Sequence, residues 1–261
     1  MKNKIAIIGA GNMGGAFFRG LAKHFPIQDL LLCDHNLDKM KALGAKVFST
    51  DANEIIPKAD IIILAVKPQS YLDFCQTIKV KMDQKLIISI MARVTLKTLK
   101  QTTGSAKIVR SMPNLPAQVE AGLTGWVATK DLSPTDKKIV EKIFSALGDS
   151  IELKTEKALN ALTPLSGSGP AYFFYICELL EEKAKKMGFT KDQAKKMAEK
   201  TFIGSAKVFQ ENTMTAAEWR KAVTGKGGTT EAAFDHFQKK NLAKIFDEGI
   251  EKGQKRADET I

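Results

Sequence analysis

Residues 4–14 read Lys4-Ile5-Ala6-Ile7-Ile8-Gly9-Ala10-Gly11-Asn12-Met13-Gly14, an apolar run that breaks into closely spaced glycines. Ile5 to Ile8 are mostly β-branched and show no polar alternation, the pattern of a strand covered on both faces in a parallel sheet. Gly9, Gly11 and Gly14 then satisfy G-x-G-x-x-G. In that motif the first glycine makes a tight turn, the second lets backbone approach a pyrophosphate, and the third lets helix pack on strand. A helical pattern follows from about Met13 to His24, with Ala16, Phe17, Leu21 and Ala22 on the face it buries. Its N-terminal amides and the positive end of its dipole suit the same anion.

A glycine-rich turn alone is a weak signal, and its surroundings supply the rest. The motif follows a strand-like run, opens a helix, and is followed by a second apolar run, Leu30 to Cys33. That run ends in Asp34, twenty positions beyond Gly14, where an acidic residue accepts hydrogen bonds from an adenosine ribose. The turn therefore reads as a dinucleotide site.

With 261 residues the chain is long enough for one or two domains and a substantial core. Its charged fraction of 26% and apolar fraction of 44% are those of an ordinary globular protein. The longest apolar runs, Ile61 to Val66 and Leu86 to Ala92, fall far short of the ~20 residues of a membrane helix. No signal peptide is visible, so the expected location is cytoplasmic, without membrane partners. Cys33, Cys75 and Cys177 are odd in number and widely spaced, which fits reduced thiols rather than a disulfide framework or zinc site. The net charge of +11 comes from lysines spread along predicted helices without interleaved aromatics. This is the pattern of a solvated face, and nucleic acid is not an expected partner.

Short apolar runs alternate with helical stretches up to Leu153, which predicts βαβ units and a mostly parallel, doubly wound sheet. Further strands are expected at Val47 and Phe48, at Ile61 to Val66, at Leu86 to Ile90, from Ile108, at Leu123 to Ala128 and at Ile151 to Leu153. Lys67-Pro68-Gln69 and Met91-Ala92 lie at carboxyl ends of strands, the side where open α/β sheets bind ligands. Ser111-Met112-Pro113-Asn114-Leu115-Pro116 is a loop that two prolines stiffen. Beyond Glu156 only helix patterns remain, so we divide the chain into an α/β domain, 1–155, and an all-α domain, 156–261. The broad apolar faces of those helices predict pairing with a second copy, a homodimer or a larger assembly of dimers.

Two helix starts are rich in glycine and hydroxyls, Ser166 to Pro170 and Gly225 to Thr230. Each is expected to present backbone amides to a carboxylate or phosphate. His24, His35 and His236 are scattered without accompanying carboxylates, and no metal site is expected. A reaction carried by a bound cofactor fits this lack of an acid/base constellation.

Several motifs together resemble the pyrroline-5-carboxylate reductase family: Ile-Gly-Ala-Gly-Asn-Met-Gly at 8–14, Leu-Ala-Val-Lys-Pro-Gln at 64–69, Met-Pro-Asn at 112–114, Leu-Ser-Gly-Ser-Gly-Pro-Ala-Tyr at 165–172, and Gly-Gly-Thr-Thr at 227–230. The first is shared with many dehydrogenases, and the last two are far more specific. The resemblance implies a Rossmann-like domain, a helical dimerisation domain, and reduction of a cyclic imino acid by NADPH or NADH. Beside Gly9, Gly11, Gly14 and Asp34, read above from the motif, it implies that Asn12, Met13, Val66, Lys67, Pro68, Met91 and Ala92 line the cofactor. It places Gly228, Thr229 and Thr230 around the substrate and gives the Thr230 hydroxyl the catalytic contact to the ring nitrogen; we add Lys226 and Asn114 as further substrate-binding candidates.

Three departures from the family pattern stand out. Gly225-Lys226 replaces the usual Ser-Pro, so a hydroxyl is lost and the Lys226 cation is the expected substitute. Leu115 replaces a threonine. Asp34-His35-Asn36 stands where many relatives accommodate a 2′-phosphate, and a carboxylate there favours NADH. Two other readings remain open: a reductase of another small cyclic imine or keto acid, and a non-catalytic dinucleotide-sensing protein.

Overall fold

The computed structural model describes residues 3–211 and 213–259. The chain folds into two compact units, Met1–Ser168 with Gly253–Ile261, and Gly169–Lys252. In the first unit strands β1 (Ile5–Ile8), β2 (Leu30–Cys33), β3 (Val47–Ser49), β4 (Ile61–Leu64), β5 (Leu86–Ser89), β6 (Ile108–Met112), β7 (Gly122–Ala128) and β8 (Gly148–Glu152) form one sheet. Between them run α1 (Asn12–Leu21), α2 (Leu37–Ala42), α3 (Ala52–Ile55), α4 (Tyr71–Thr77), α5 (Leu96–Thr103) and α6 (Pro134–Ser145), and α7 (Glu156–Leu162) follows β8.

The sheet order is β3-β2-β1-β4-β5-β6-β7-β8. Every neighbouring pair is parallel except β6 and β7, which run antiparallel. This is the expected mostly parallel Rossmann-like sheet, and the chain crosses from one half to the other between β1 and β4. β1, β2, β4 and β5 are buried along their whole length because apolar clusters cover both faces. On one face Phe17, Phe18 and Leu21 of α1 meet Ile143 and Phe144 of α6. On the other Ile55, Tyr71, Val94 and Leu99 pack against Ile62 and Ile87.

The strands begin and end within a residue or two of their expected limits in most cases, but the last starts earlier, at Gly148 rather than Ile151. Ser133 caps α6 as its sequence predicts, in a full capping box with Asp136 and with Pro134 at the first helical position.

The two compact units divide between Ser168 and Gly169. The reason is visible in α7: Leu159 is fully buried against Met112 and Val127, and Glu156 and Asn160 both bond to Arg110 of β6. The stretch 156–168 therefore packs as part of the sheet unit.

The second unit is helical, with α8 (Gly169–Lys186), α9 (Lys191–Gln210), α10 (Ala216–Ala222), α11 (Thr229–Lys239) and the larger part of α12 (Leu242–Asp258). Thr190 and Thr215 cap α9 and α10 as expected. Its described residues bury little: Gly169, Ala184, Ala194 and Ala198 are buried, while Phe173, Phe174, Ile176, Leu179 and Leu180 stand exposed. No described helix is long and apolar enough to cross a membrane.

Candidate active site

In the first unit the glycine-rich turn lies where β1 hands over to α1. Gly9 has φ +109°, and a β-carbon there would come within 2.6 Å of the Ala65 carbonyl oxygen. A β-carbon on Gly14 would sit 1.9 Å from the Gly9 carbonyl oxygen, so α1 presses directly on the turn. Gly11 differs, because nothing lies within 4 Å of its β-position. It caps α1 without a side-chain hydrogen bond. The first amides of α1, beginning at Asn12 and Met13, have no intrahelical acceptor, the arrangement a pyrophosphate needs. Asn12 is exposed and Met13 half-buried.

Beside this turn is a cavity of about 390 Å³ whose lining includes Gly9, Cys33, Asp34, Asp51, Val66 and Phe74. Asp34 Oδ2 accepts the Ala10 N–H at 2.6 Å, and Oδ1 accepts the Asn36 N–H at 2.8 Å. Its side chain is 7% exposed. The carboxylate that spacing assigned to a ribose thus also ties the glycine-rich turn to the end of β2. Asp51 caps α3, and hydrogen bonds from Asn53 hold its carboxyl below the usual range. Burial, with Asp34 and Asp51 adding to it, pushes the Cys33 thiol up to about 12. None of the described residues lining the cavity is lysine or arginine.

The other expected cofactor residues separate by environment. Val66 lines the cavity, Lys67 after it is exposed, and Pro68 opens a short 3₁₀ turn. Ala92 is half-buried, whereas Met91 is 1% exposed and belongs to the core cluster of Leu64, Val94 and Leu99. The Met91 side chain therefore packs inward, and its N–H donates to Ser89 Oγ at 3.2 Å. Asn114 is engaged on both sides of its carboxamide. Oδ1 accepts the Leu123 N–H at 2.9 Å and Nδ2 donates to Ser166 Oγ at 3.1 Å, so the side chain fixes the loop after β6.

Ser166 to Pro170 does not form the open helix start expected of it. Thr163–Gly167 is a π-helical turn that continues α7, and the Ser168 N–H donates to the Thr163 carbonyl. Helical winding here uses backbone groups that a loop would have left open.

In the second unit α11 begins as expected. Gly227 has φ +71° and its N–H donates to Glu231 Oε2 at 2.6 Å. Gly228 caps the helix without a side-chain bond, which leaves the amides at Thr229 and Thr230 available to an anion. Thr230 is half-buried, and Lys226 and Thr229 are exposed. A cavity of about 450 Å³ is lined from α10 and α11 by residues that include Arg220, Thr224, Glu231 and Phe234. The Arg220 guanidinium lies 5.5 Å from the Phe234 ring centroid.

Sequence reasoning missed Asp51 and Phe74 beside the dinucleotide turn, and Glu231 beside the second. Asp51 follows β3 at its carboxyl end, so the strand-end rule already applied to Lys67 and Met91 would have found it. It also missed Arg110, which is 2% exposed and reaches Glu156 Oε1 and Asn160 Oδ1, both at 2.9 Å. A lone arginine in an apolar strand is the signal it carried.

Residues 156–260 match the family profile described as pyrroline-5-carboxylate reductase dimerisation, and residues 4–93 match that of NADP oxidoreductase, coenzyme F420-dependent. The pyrroline-5-carboxylate reductase of Pasteurella multocida is 34% identical over 257 residues, 95% of this chain and 94% of that one. The enzyme of that name from Methanosarcina acetivorans is 33% identical over 98% of this chain and 97% of its own. Among solved structures, a pyrroline-5-carboxylate reductase of Coxiella burnetii superposes with a TM-score of 0.89 at 33% identity, covering 99% of this chain and 98% of that chain. A Plasmodium falciparum pyrroline carboxylate reductase with NADP bound gives 0.87 at 26% identity, covering 98% of each chain. With this identity sustained over nearly its full length, the chain belongs to the pyrroline-5-carboxylate reductase family.

Proposed function

We propose that this protein reduces 1-pyrroline-5-carboxylate to L-proline with a hydride from NAD(P)H, the last step of proline biosynthesis. The observation that carries the reading is the start of α11, where the Gly228 N-cap offers no side-chain bond and the amides of Thr229 and Thr230 lie beside a hydroxyl, in a chain that also holds a glycine-rich dinucleotide turn. The substrate carboxylate binds the backbone of Gly228 to Thr230 through the amides of Thr229 and Thr230, with Lys226 adding a cation. The Thr230 hydroxyl bonds the ring nitrogen, orients the imine, and assists proton delivery as charge on nitrogen changes. Asn114 holds the loop after β6 in place.

The bound nicotinamide supplies the hydride. Gly9, Gly11, Asn12, Met13 and Gly14 receive the pyrophosphate, Asp34 the ribose, and Val66, Lys67, Pro68, Met91 and Ala92 the remainder. Asp34 and Asp51, with His35 but no lysine or arginine among the described residues lining their cavity, favour the free 2′-hydroxyl of NADH over the 2′-phosphate of NADPH.

Residues 1–155 act as the dinucleotide-binding domain and 156–261 as the substrate and dimerisation domain of a cytoplasmic homodimer. Support for the dimer comes from α8, whose exposed Phe173, Phe174, Ile176, Leu179 and Leu180 need a covering surface. Sedimentation is expected to give a dimer at micromolar concentration, and a monomer would contradict it. The decisive assay follows NADH or NADPH loss at 340 nm with pyrroline-5-carboxylate. Oxidation with that imine is expected, and none with it or any other cyclic imino acid would overturn the enzyme reading.

A further inference from the structure

The last turns of α12 belong to the sheet unit, and they end on the loop that follows β5. In that loop Arg93 has φ +68°, a left-handed conformation that costs any residue with a β-carbon free energy and persists where neighbours hold it. Arg93 Nε donates to the Glu259 carbonyl oxygen at 2.8 Å, and Nη2 lies 3.5 Å from Glu259 Oε2. Arg256 reaches the same carboxylate.

Two further contacts fasten this end of the chain. Asp258 Oδ1 accepts from Asn160 Nδ2 at 3.1 Å, and Asn160 Oδ1 accepts from the buried Arg110 Nη2 at 2.9 Å. Gly253 lies so close to Pro164 that an added β-carbon would come within 3.1 Å of the proline's own. Arg110 Nη1 also bonds Glu156 Oε1, which accepts the N–H of Leu96 at 3.0 Å. The segment after β5 is therefore held at Met91 by Ser89, at Leu96 by Glu156, and between them by Arg93 on Glu259.

We propose that Arg93 is a positioning residue for cofactor binding: by gripping Glu259, the residue just past α12, it holds the Met91–Ala92 loop in the shape that receives the dinucleotide. Removing the grip leaves that loop anchored at its ends only. The inference rests on the assignment of Met91 and Ala92 to the cofactor. A surface ion pair alone contributes little, but here a guanidinium bonded to a backbone carbonyl stabilises a strained residue beside the site.

The test compares full-length Arg93→Ala, Arg93→Gly and Asp258→Ala with the parent. Dissociation constants for NADH and NADPH come from nicotinamide fluorescence, steady-state kinetics from pyrroline-5-carboxylate reduction, and loop mobility from hydrogen exchange. All three variants are expected to bind the cofactor more weakly by roughly three- to tenfold, with KM for cofactor rising alike and kcat little changed, the size typical of indirect coupling. Exchange is expected to rise together in peptides covering 90–96 and 253–259. Asp258→Asn, which keeps an acceptor for Asn160, is expected to rescue both readouts. Parental cofactor affinity in the Arg93 variants, or faster exchange in one peptide without the other, would overturn the proposal. Failure of the parent to oxidise NAD(P)H with the imine would instead count against the proposed reaction, while the exchange experiment still decides the grip.

Discussion

The Asp34 carboxylate accepts the N–H of Ala10 at 2.6 Å, so the residue at the end of β2 helps to shape the glycine-rich turn as well as the cavity beside it. A second oxygen accepts the N–H of Asn36, which keeps the carboxylate fixed at the cavity wall with Asp51 nearby. A 2′-phosphate placed there would meet two carboxylates and, among the described lining residues, no lysine or arginine. The kcat/KM for NADH is expected to exceed that for NADPH by roughly tenfold or more, or about 1.4 kcal/mol. Asp34→Ser should move the ratio towards unity while weakening both cofactors somewhat, because the tie to Ala10 is loosened. A ratio unmoved by the substitution would remove Asp34 from cofactor choice.

Gly11 and Gly14 belong to one motif but answer to different forces. A β-carbon at Gly14 would overlap the Gly9 carbonyl, so Gly14→Ala is expected to destabilise the sheet unit by about 3 kcal/mol or more. At Gly11 the β-position is empty and φ is −69°, which alanine adopts freely. Gly11→Ala should therefore melt with the parent yet bind NADH at least roughly tenfold more weakly, since the methyl group occupies the pyrophosphate approach. Thermal melts paired with cofactor titration distinguish the two. Equal melting and equal binding in both variants would refute the division.

Asp136 closes the capping box of α6 with Ser133 and lies 3.1 Å from Lys107 Nζ. Partial burial raises its pKa, but the Ser133 and Lys107 bonds outweigh this and hold the carboxyl below its usual range. Because the folded pKa is depressed, the stabilisation is present above the unfolded value of about 4 and is lost as pH falls through the folded one. Asp136→Asn is expected to cost about 1 kcal/mol at pH 7, a fall of about 2 °C in Tm. The gap between parent and variant should narrow on acidification below pH 4 or so. A gap that stays constant down to pH 3 or widens would mean that the charge is not what stabilises the cap.

The sheet was legible because its physics is local. Ile5–Ile8, Leu30–Cys33 and Ile61–Leu64 are short, continuous apolar runs, the pattern of a strand covered on both faces. The turn at Gly9 and the caps at Ser133, Thr190 and Thr215 were equally plain, since each depends on one residue type at one position. What the sequence hid was assembled across distance. Arg110 meets Glu156 and Asn160 over separations of 46 and 50 residues, and no pattern in either stretch announces the pairing. The same limit explains Ser166 to Pro170, where glycine and serine predict a loop but Leu159 and Pro164, both buried, keep the chain helical through a π turn. At the candidate site, glycines that need space were readable, and the second use of Asp34 was not.

Thr230 remains the residue on which the proposed chemistry turns. It is the second residue of α11, half-buried, and follows an N-cap glycine that offers no side chain to compete for the helix amides. A carboxylate bound at those amides would bring a small cyclic imine within reach of the hydroxyl, whose contribution is orientation and proton delivery rather than binding energy alone. Thr230→Ala is therefore expected to lower kcat by roughly 10²-fold with the melting temperature and cofactor affinity kept. Thr230→Ser, which restores a hydroxyl on a less restricted rotor, should recover much of the loss, whereas Thr230→Val, which keeps the shape, should not. If the valine variant turned over substrate as fast as the parent, the hydroxyl would have no part in the reaction, and the ring nitrogen would have to take its proton from water or from another side chain.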